Sequence, residues 1–234
     1  MKLCRHMEKS GHGGRRDDFG SNGLVGKCSR ASGARLITLG QWTDSPILRW
    51  VDAPLKRSIA LRLLNQVSRP VLIVKKDSEK PYRRVVVAVD GTDSACAHIQ
   101  QAYALAPDAE LILVHAMAHS PANSGRCDET FDDRFRQMRM RQHEDALNRI
   151  NDLLERCGVP QQQVVKVAEF GYAPKLILDS EMTFAADLLV IGRSSSSRFR
   201  RIFFGSVTSQ ILVKSRSDVL VVPPKGTGIE TFKW

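Results

Sequence analysis

The sequence predicts an α/β fold over residues 81–226: an open, parallel, five-stranded sheet with helices on both faces. Three observations carry that expectation. Short apolar runs such as Val85-Val86-Val87-Ala88-Val89 are continuous rather than alternating, as in strands buried on both faces. Segments with helical apolar spacing separate these runs. The alternation of the two persists from residue 83 to residue 222, so each strand-helix-strand reads as a crossover between parallel strands.

The first of these strands, Arg83 to Val89, ends at the turn pair Asp90-Gly91. A helix follows from about Ser94 to Ala106, with Ala95, Ile99, Ala102, Tyr103 and Ala106 on one stripe and Pro107 closing it. Glu110–Met117 is the second strand, with His115 packed within it, and the polar stretch Ser120–Asp128 is a loop. A long helix then runs from about Phe131 to Cys157. Its stripe is Phe135, Met138, Ala146, Leu147, Ile150, Leu153 and Leu154, and Gly158 and Pro160 stop it. Val164–Phe170 is the third strand. Pro174 stands in the first turn of a helix continued by Leu176–Phe184. Leu188–Ile191 is the fourth strand, Val207–Lys214 a helix and Val219–Val222 the fifth strand.

Part of this pattern occurs twice. Residues 58–74 align without a gap to residues 206–222, and Leu36-Ile-Thr-Leu-Gly40 aligns with Leu188-Leu-Val-Ile-Gly192. The first copy has no counterpart of the first three strands of the second. Residues 35–80 are therefore expected to be a partial domain, the C-terminal half of the complete one at 81–226. Residues 1–34, rich in Gly, Ser, Arg and Lys without apolar periodicity, are expected to be a disordered basic segment. The edge strand Val219–Val222 would pair either with Val71–Val74 of the same chain or across a homodimer, since an open apolar edge invites pairing.

Charge narrows the function classes. The chain of 234 residues carries a formal net charge of +10. Residues 1–34 contribute 7 Lys/Arg against 3 Asp/Glu, residues 35–80 contribute 9 against 4, and residues 81–234 contribute 19 against 18. The basic excess thus belongs to the first third, and the near-neutral complete domain lacks the footprint of a nucleic-acid reader. The longest apolar runs, such as Leu188–Ile191, fall far short of the roughly 18 residues of a membrane span. The N-terminus has no apolar h-region, so the expected location is cytoplasmic. Five scattered cysteines with no C-x-x-C pair fit reduced thiols, and Cys96 and Cys157 read as helix packing residues.

One stretch carries site chemistry. Gly192 directly follows a strand, and Gly205-Ser206 opens a helix thirteen residues later. Helix N-termini present unpaired N–H groups and partial positive charge, a ready site for phosphates. The Ser206 hydroxyl adds a donor or an N-cap. Arg193, Arg198, Arg200 and Arg201 read either as a phosphate clamp or as a solvated basic loop, and Gly192 and Gly205 also have a plain reading as turn residues.

On these residues the chain resembles the universal stress protein family (UspA-like), whose fold is that of the adenine-nucleotide α-hydrolase group. Its nucleotide-binding members carry Gly-x2-Gly-x9-Gly-(Ser/Thr). Gly192, Gly205 and Ser206 match that spacing, and Ser195, preceded by Ser194, replaces the second glycine. The resemblance implies a site at Ala88, Asp90, Ala116, Gly192, Ser194, Ser195, Gly205, Ser206 and Val207 for ATP or another adenine nucleotide, with magnesium as its companion. In the first copy Arg57 stands where Gly205 would, so that half reads as structural.

The resemblance implies a stress-response binding module that acts through partners, and no catalytic residues. The sequence offers no P-loop lysine, Ser/His/Asp arrangement or metal-ligand cluster, although slow hydrolysis of bound ATP stays compatible with it. Two alternatives belong to other classes: a nucleotide-processing enzyme on a related fold, and a nucleic-acid-associated protein acting through its basic N-terminal third.

Overall fold

Runs that are apolar at every position cannot leave either face wet, and the computed structural model shows how both are covered. It describes residues 36–39, 64, 67–75, 80–117, 129–193 and 206–224. The elements are β1 (Ile37–Leu39), β2 (Val71–Ile73), β3 (Arg84–Val89), α1 (Ser94–Leu105), β4 (Glu110–Met117), α2 (Glu129–Cys157), β5 (Val164–Phe170), α3 (Ala173–Thr183), β6 (Leu188–Gly192), α4 (Ser206–Lys214) and β7 (Asp218–Val222). The sequence-based boundaries hold to within two residues. The expectations for residues 1–34 and for the loop at 120–128 lie outside the described residues.

The strands form one sheet in the order β1-β2-β7-β6-β3-β4-β5. The five expected strands are its parallel part. β2 joins this part antiparallel to β7, with Val71 opposite Val221, Leu72 opposite Leu220 and Ile73 opposite Val219. The open edge of β7 is thus closed within the chain. β1 continues the sheet parallel to β2.

Side chains alternate between the two faces. Val85, Val87, Leu111, Leu113, Leu188 and Val190 pack with α1 and α2, including Ile99, Ala102, Ile150 and Leu154. Val86, Ile112, Leu189, Ile191, Val219 and Val221 pack on the other face with Ile177 of α3, Ile211 of α4, and Leu64 and Val67. Cys96 of α1 and Cys157 of α2 are buried in the core on this face. The expected stripe of α2 is buried only in its C-terminal part, from Ala146 onward. Met138 is 40% exposed, because that part of the helix passes outside the sheet.

At the amino ends of β6 and β7 a polar cluster fastens the layers. Asp218, nearly buried, accepts from the Lys75 backbone N–H at 2.7 Å and from the Tyr82 hydroxyl at 2.7 Å. The Lys75 ammonium donates to the carbonyls of Leu212 and Ser215 at 2.9 and 2.8 Å, where the C-terminal end of α4 favours positive charge. Glu181 of α3 accepts from the backbone N–H groups of Arg216 and Ser217 at 2.8 and 2.6 Å, and from Ser215 Oγ at 3.2 Å. These contacts satisfy the turn between α4 and β7, which burial would otherwise penalise.

Two outcomes are expected. Asp218→Ala removes an acceptor of the Lys75 amide and of the Tyr82 hydroxyl in a part-buried site, and should lower stability by about 1–3 kcal/mol in urea unfolding. Burial lowers the Lys75 pKa from 10.5 to about 8, against the opposing pull of Glu181 and Asp218. Above about 8 the folded chain has released a proton that the unfolded chain holds up to 10.5, so this group's contribution to stability rises with pH across that window. Lys75→Met should remove that slope from the urea midpoints, while an unchanged slope would exclude Lys75 as its source.

Candidate functional site

Parallel strands leave their last carbonyls and the following helix N-termini at one edge of the sheet. From β3 the chain steps to β4 and β5 on one side, whereas β6 and β7 add on the other. The reversal lies between β3 and β6, and a crevice at such a switch point is where open α/β sheets receive ligands. Ala88 sits near the end of β3, Asp90 just beyond it, Ala116 near the end of β4 and Gly192 at the end of β6. Ser206 and Val207 begin α4. The fold therefore brings these sequence-predicted residues to one edge. Ser194, Ser195 and Gly205 lie outside the described residues, as do Arg198, Arg200 and Arg201.

The exit of β3 is a tight turn. Asp90 Oδ1 accepts from the Thr92 backbone N–H at 3.0 Å and from Thr92 Oγ1 at 2.6 Å, so its carboxyl group is engaged with its own turn while remaining exposed. Gly91 takes a φ of +74°, a left-handed conformation that side chains disfavour. Asp93 occupies the N-cap position of α1 without a side-chain cap bond and pairs with Arg156 of α2. His115 is only half-buried. Its Nδ1 lies 3.0 Å from the Val89 carbonyl, which ties β4 to the end of β3.

Sequence reasoning passed over His98. It falls three residues after Ala95 and four before Ala102, so the helical period itself places it on the inward stripe of α1. Its side chain is buried, 7% exposed, with Nδ1 at 3.3 Å from the Ala88 carbonyl. A carbonyl only accepts, so Nδ1 carries the hydrogen and Nε2 of the neutral ring presents a lone pair. Burial pushes the imidazole pKa below its usual range, opposed by the Ala88 carbonyl and the charge of Asp90. The same ring explains Gly192: a Cβ there would stand 2.5 Å from His98 Nε2 and closer still to Cε1. The glycine makes room for a histidine of its own chain.

β6 is bound to its surroundings on the other face as well. Thr208 Oγ1 of α4, also unforeseen, donates to the Gly192 carbonyl at 3.2 Å. Arg193 departs from both sequence readings. Its guanidinium is half-buried and donates from Nη1 to the carbonyls of Leu64 and Val67, the latter at 2.8 Å, while its backbone N–H donates to the Val222 carbonyl at 2.8 Å. Burial lowers its pKa. A guanidinium committed to two carbonyls of the N-terminal region is neither a phosphate clamp nor a solvated charge. Among the described residues no group of three or more His, Cys, Asp or Glu side chains is placed to hold a metal ion, and no helix is long and apolar enough to cross a membrane.

The packing of His98 on Gly192 has a measurable consequence. Gly192→Ala should destabilise the chain by about 1–3 kcal/mol in urea unfolding, the usual penalty for overpacking. In a His98→Ala background the same change should cost well under half of that. Additive effects in the double variant would exclude the ring as the cause.

Comparison with known proteins agrees with this architecture. The universal stress protein family matches residues 81–223. A universal stress protein from Thermus aquaticus is 27% identical over 143 residues, covering 60% of this chain and 98% of that protein. One from Methanocaldococcus jannaschii is 24% identical over 149 residues, covering 63% of this chain and 85% of that protein. The crystal structure of a functionally unknown protein from Pseudomonas aeruginosa PAO1 has the same fold, with a TM-score of 0.61 at 21% identity. That likeness spans 96% of this chain and 76% of the other. Together with the sheet order and the glycine-framed end of β6, the match over most of the chain makes this protein a member of the universal stress protein family.

Proposed function

We propose that the protein is a stress-response binding module that holds an adenine nucleotide, ATP or AMP, at the carboxyl edge of β3, β4 and β6 and acts through partners. The observation that carries this reading is the switch point between β3 and β6. There Ala88, Asp90, Ala116 and Gly192 from three adjacent parallel strands meet the N-terminus of α4 at Ser206. Main-chain donors at that helix start suit a phosphate, and Gly205 with Ser206 would supply them. Ser194 and Ser195 fall between β6 and α4 in the sequence and would add hydroxyl donors, and Val207 packs at the helix start. Magnesium would arrive on the phosphates, since the described residues supply no metal cluster of their own. No catalytic step is assigned to the site.

The alternating registers of β1, β2, β6 and β7 support a second reading, that residues 35–80 are the C-terminal half of another universal stress domain. In the sequence repeat, residues 37–39 align with 189–191 and residues 71–73 with 219–221. β1 pairs with β2 as Ile37 to Val71 and Leu39 to Ile73, and β6 pairs with β7 as Leu189 to Val219 and Ile191 to Val221. The aligned residues thus keep the same partners. The antiparallel contact of β2 with β7 centres on Leu72 and Leu220, which are also aligned, as a local two-fold requires. An intramolecular pseudo-dimer of this kind takes the place of a homodimer through β7.

Calorimetric titration with ATP and AMP tests the nucleotide reading. The wild-type chain should give saturable heat, and Gly205→Arg should weaken binding at least tenfold by filling the helix start. Equal heats from both proteins would refute the proposed cradle.

A further inference from the structure

We infer that His98 is a further ligand-contact residue at the switch-point crevice, where its Nε2 meets a phosphoryl oxygen of the bound nucleotide and holds a proton while it does so. The inference rests on the nucleotide reading and adds to it a residue and a proton. Two observations support it. The ring lies between the ends of β3 and β6, with Nδ1 at the Ala88 carbonyl and its Nε2 edge against Gly192. It therefore touches both strands that frame the switch point. The Ala88 carbonyl accounts for one ring nitrogen, and among the described residues Nε2 has no hydrogen-bond partner, although the side chain is 7% exposed. In the doubly protonated ring that nitrogen would donate to a ligand oxygen.

The charges around the ring define its response. Asp90 faces it from the end of β3. On β6 it meets Gly192, while the neighbouring Arg193 is held at Leu64 and Val67, residues of the opposite face. On β4 the His115 imidazole is held at the Val89 carbonyl, on β7 the last strand residue is apolar Val222, and on α2 Arg156 is paired with Asp93. No cation in this set compensates a phosphate beside the ring. Burial keeps the free imidazole neutral at pH 7, and an anionic oxygen at Nε2 favours the doubly protonated ring, which donates from both nitrogens.

Linkage sets the sign. Binding raises the imidazole pKa, so a proton is taken up at any pH between the free and bound values. Affinity then increases as pH falls through the bound value, by at most roughly tenfold per pH unit, and levels off below the free value. Adenosine lacks the phosphate and should bind without this uptake.

The test is calorimetry on the full chain and on His98→Gln with ATP, AMP and adenosine, from about pH 6 to 8.5, in buffers of different ionisation heat. The wild type should take up close to one more proton per ATP than the variant, whose pH profile retains only the ligand's own phosphate titration. In parallel, the His98 ring resonances of the wild type should titrate at least one unit higher with ATP than without, a readout independent of whether the variant folds. ATP binding with identical proton counts in both proteins, or an unmoved His98 titration in the wild type, overturns the inference and leaves nucleotide binding intact. Absence of heat from ATP and AMP at every pH overturns both.

Discussion

The central strands of this sheet present apolar side chains to both sides, and everything else in the molecule answers that constraint. Val85, Val86 and Val87 are all fully buried, as are Leu188, Leu189 and Val190. Such strands cannot border water, so helices must cover both faces and the strands must run parallel between them. Backbone polar groups then remain accessible at the strand ends, which is why a site can form at the carboxyl edge. The direction of the crossovers places the switch point between β3 and β6 rather than elsewhere along that edge.

The two ends of the sheet solve different problems. At the amino end Glu181, Asp218 and Lys75 saturate the turn between α4 and β7 and hold β2 on the outer edge of β7. At the carboxyl end the contacts among the described residues turn on glycine. His98 lies where Gly192 leaves space, and Thr208 and Arg193 tie the same short segment to α4 and to the N-terminal region. The chain therefore leaves β6 from an anchored point. Leu64 and Val67 contribute to the carboxyl end and Lys75 to the amino end, so residues 64 and 67–75 are part of the domain's packing.

Legibility followed the range of each interaction. β3, β4, β5 and the later helices were readable because apolar period and turn residues are local properties. The repeat exposed the kinship of residues 71–73 and 219–221, and the need to close an apolar edge pointed to their pairing. Met138 was misplaced because periodicity continues along α2 beyond the part that the sheet covers. Asp90 was legible both as a site residue and as a turn residue, and its carboxyl group is engaged in the turn. Arg193 was misread because its partners, the carbonyls of Leu64 and Val67, lie over a hundred positions away.

The sequence by itself determined the fold class, the order of elements and the family motif, because these depend on side-chain period and on glycine spacing along a continuous chain. Tertiary structure alone decided that Gly192 is small to admit His98, that Arg193 serves the N-terminal region, and that Lys75 caps α4. The physical reason is the same in each case. A contact between distant segments depends on where two independently formed elements come to lie, and no local pattern encodes that meeting.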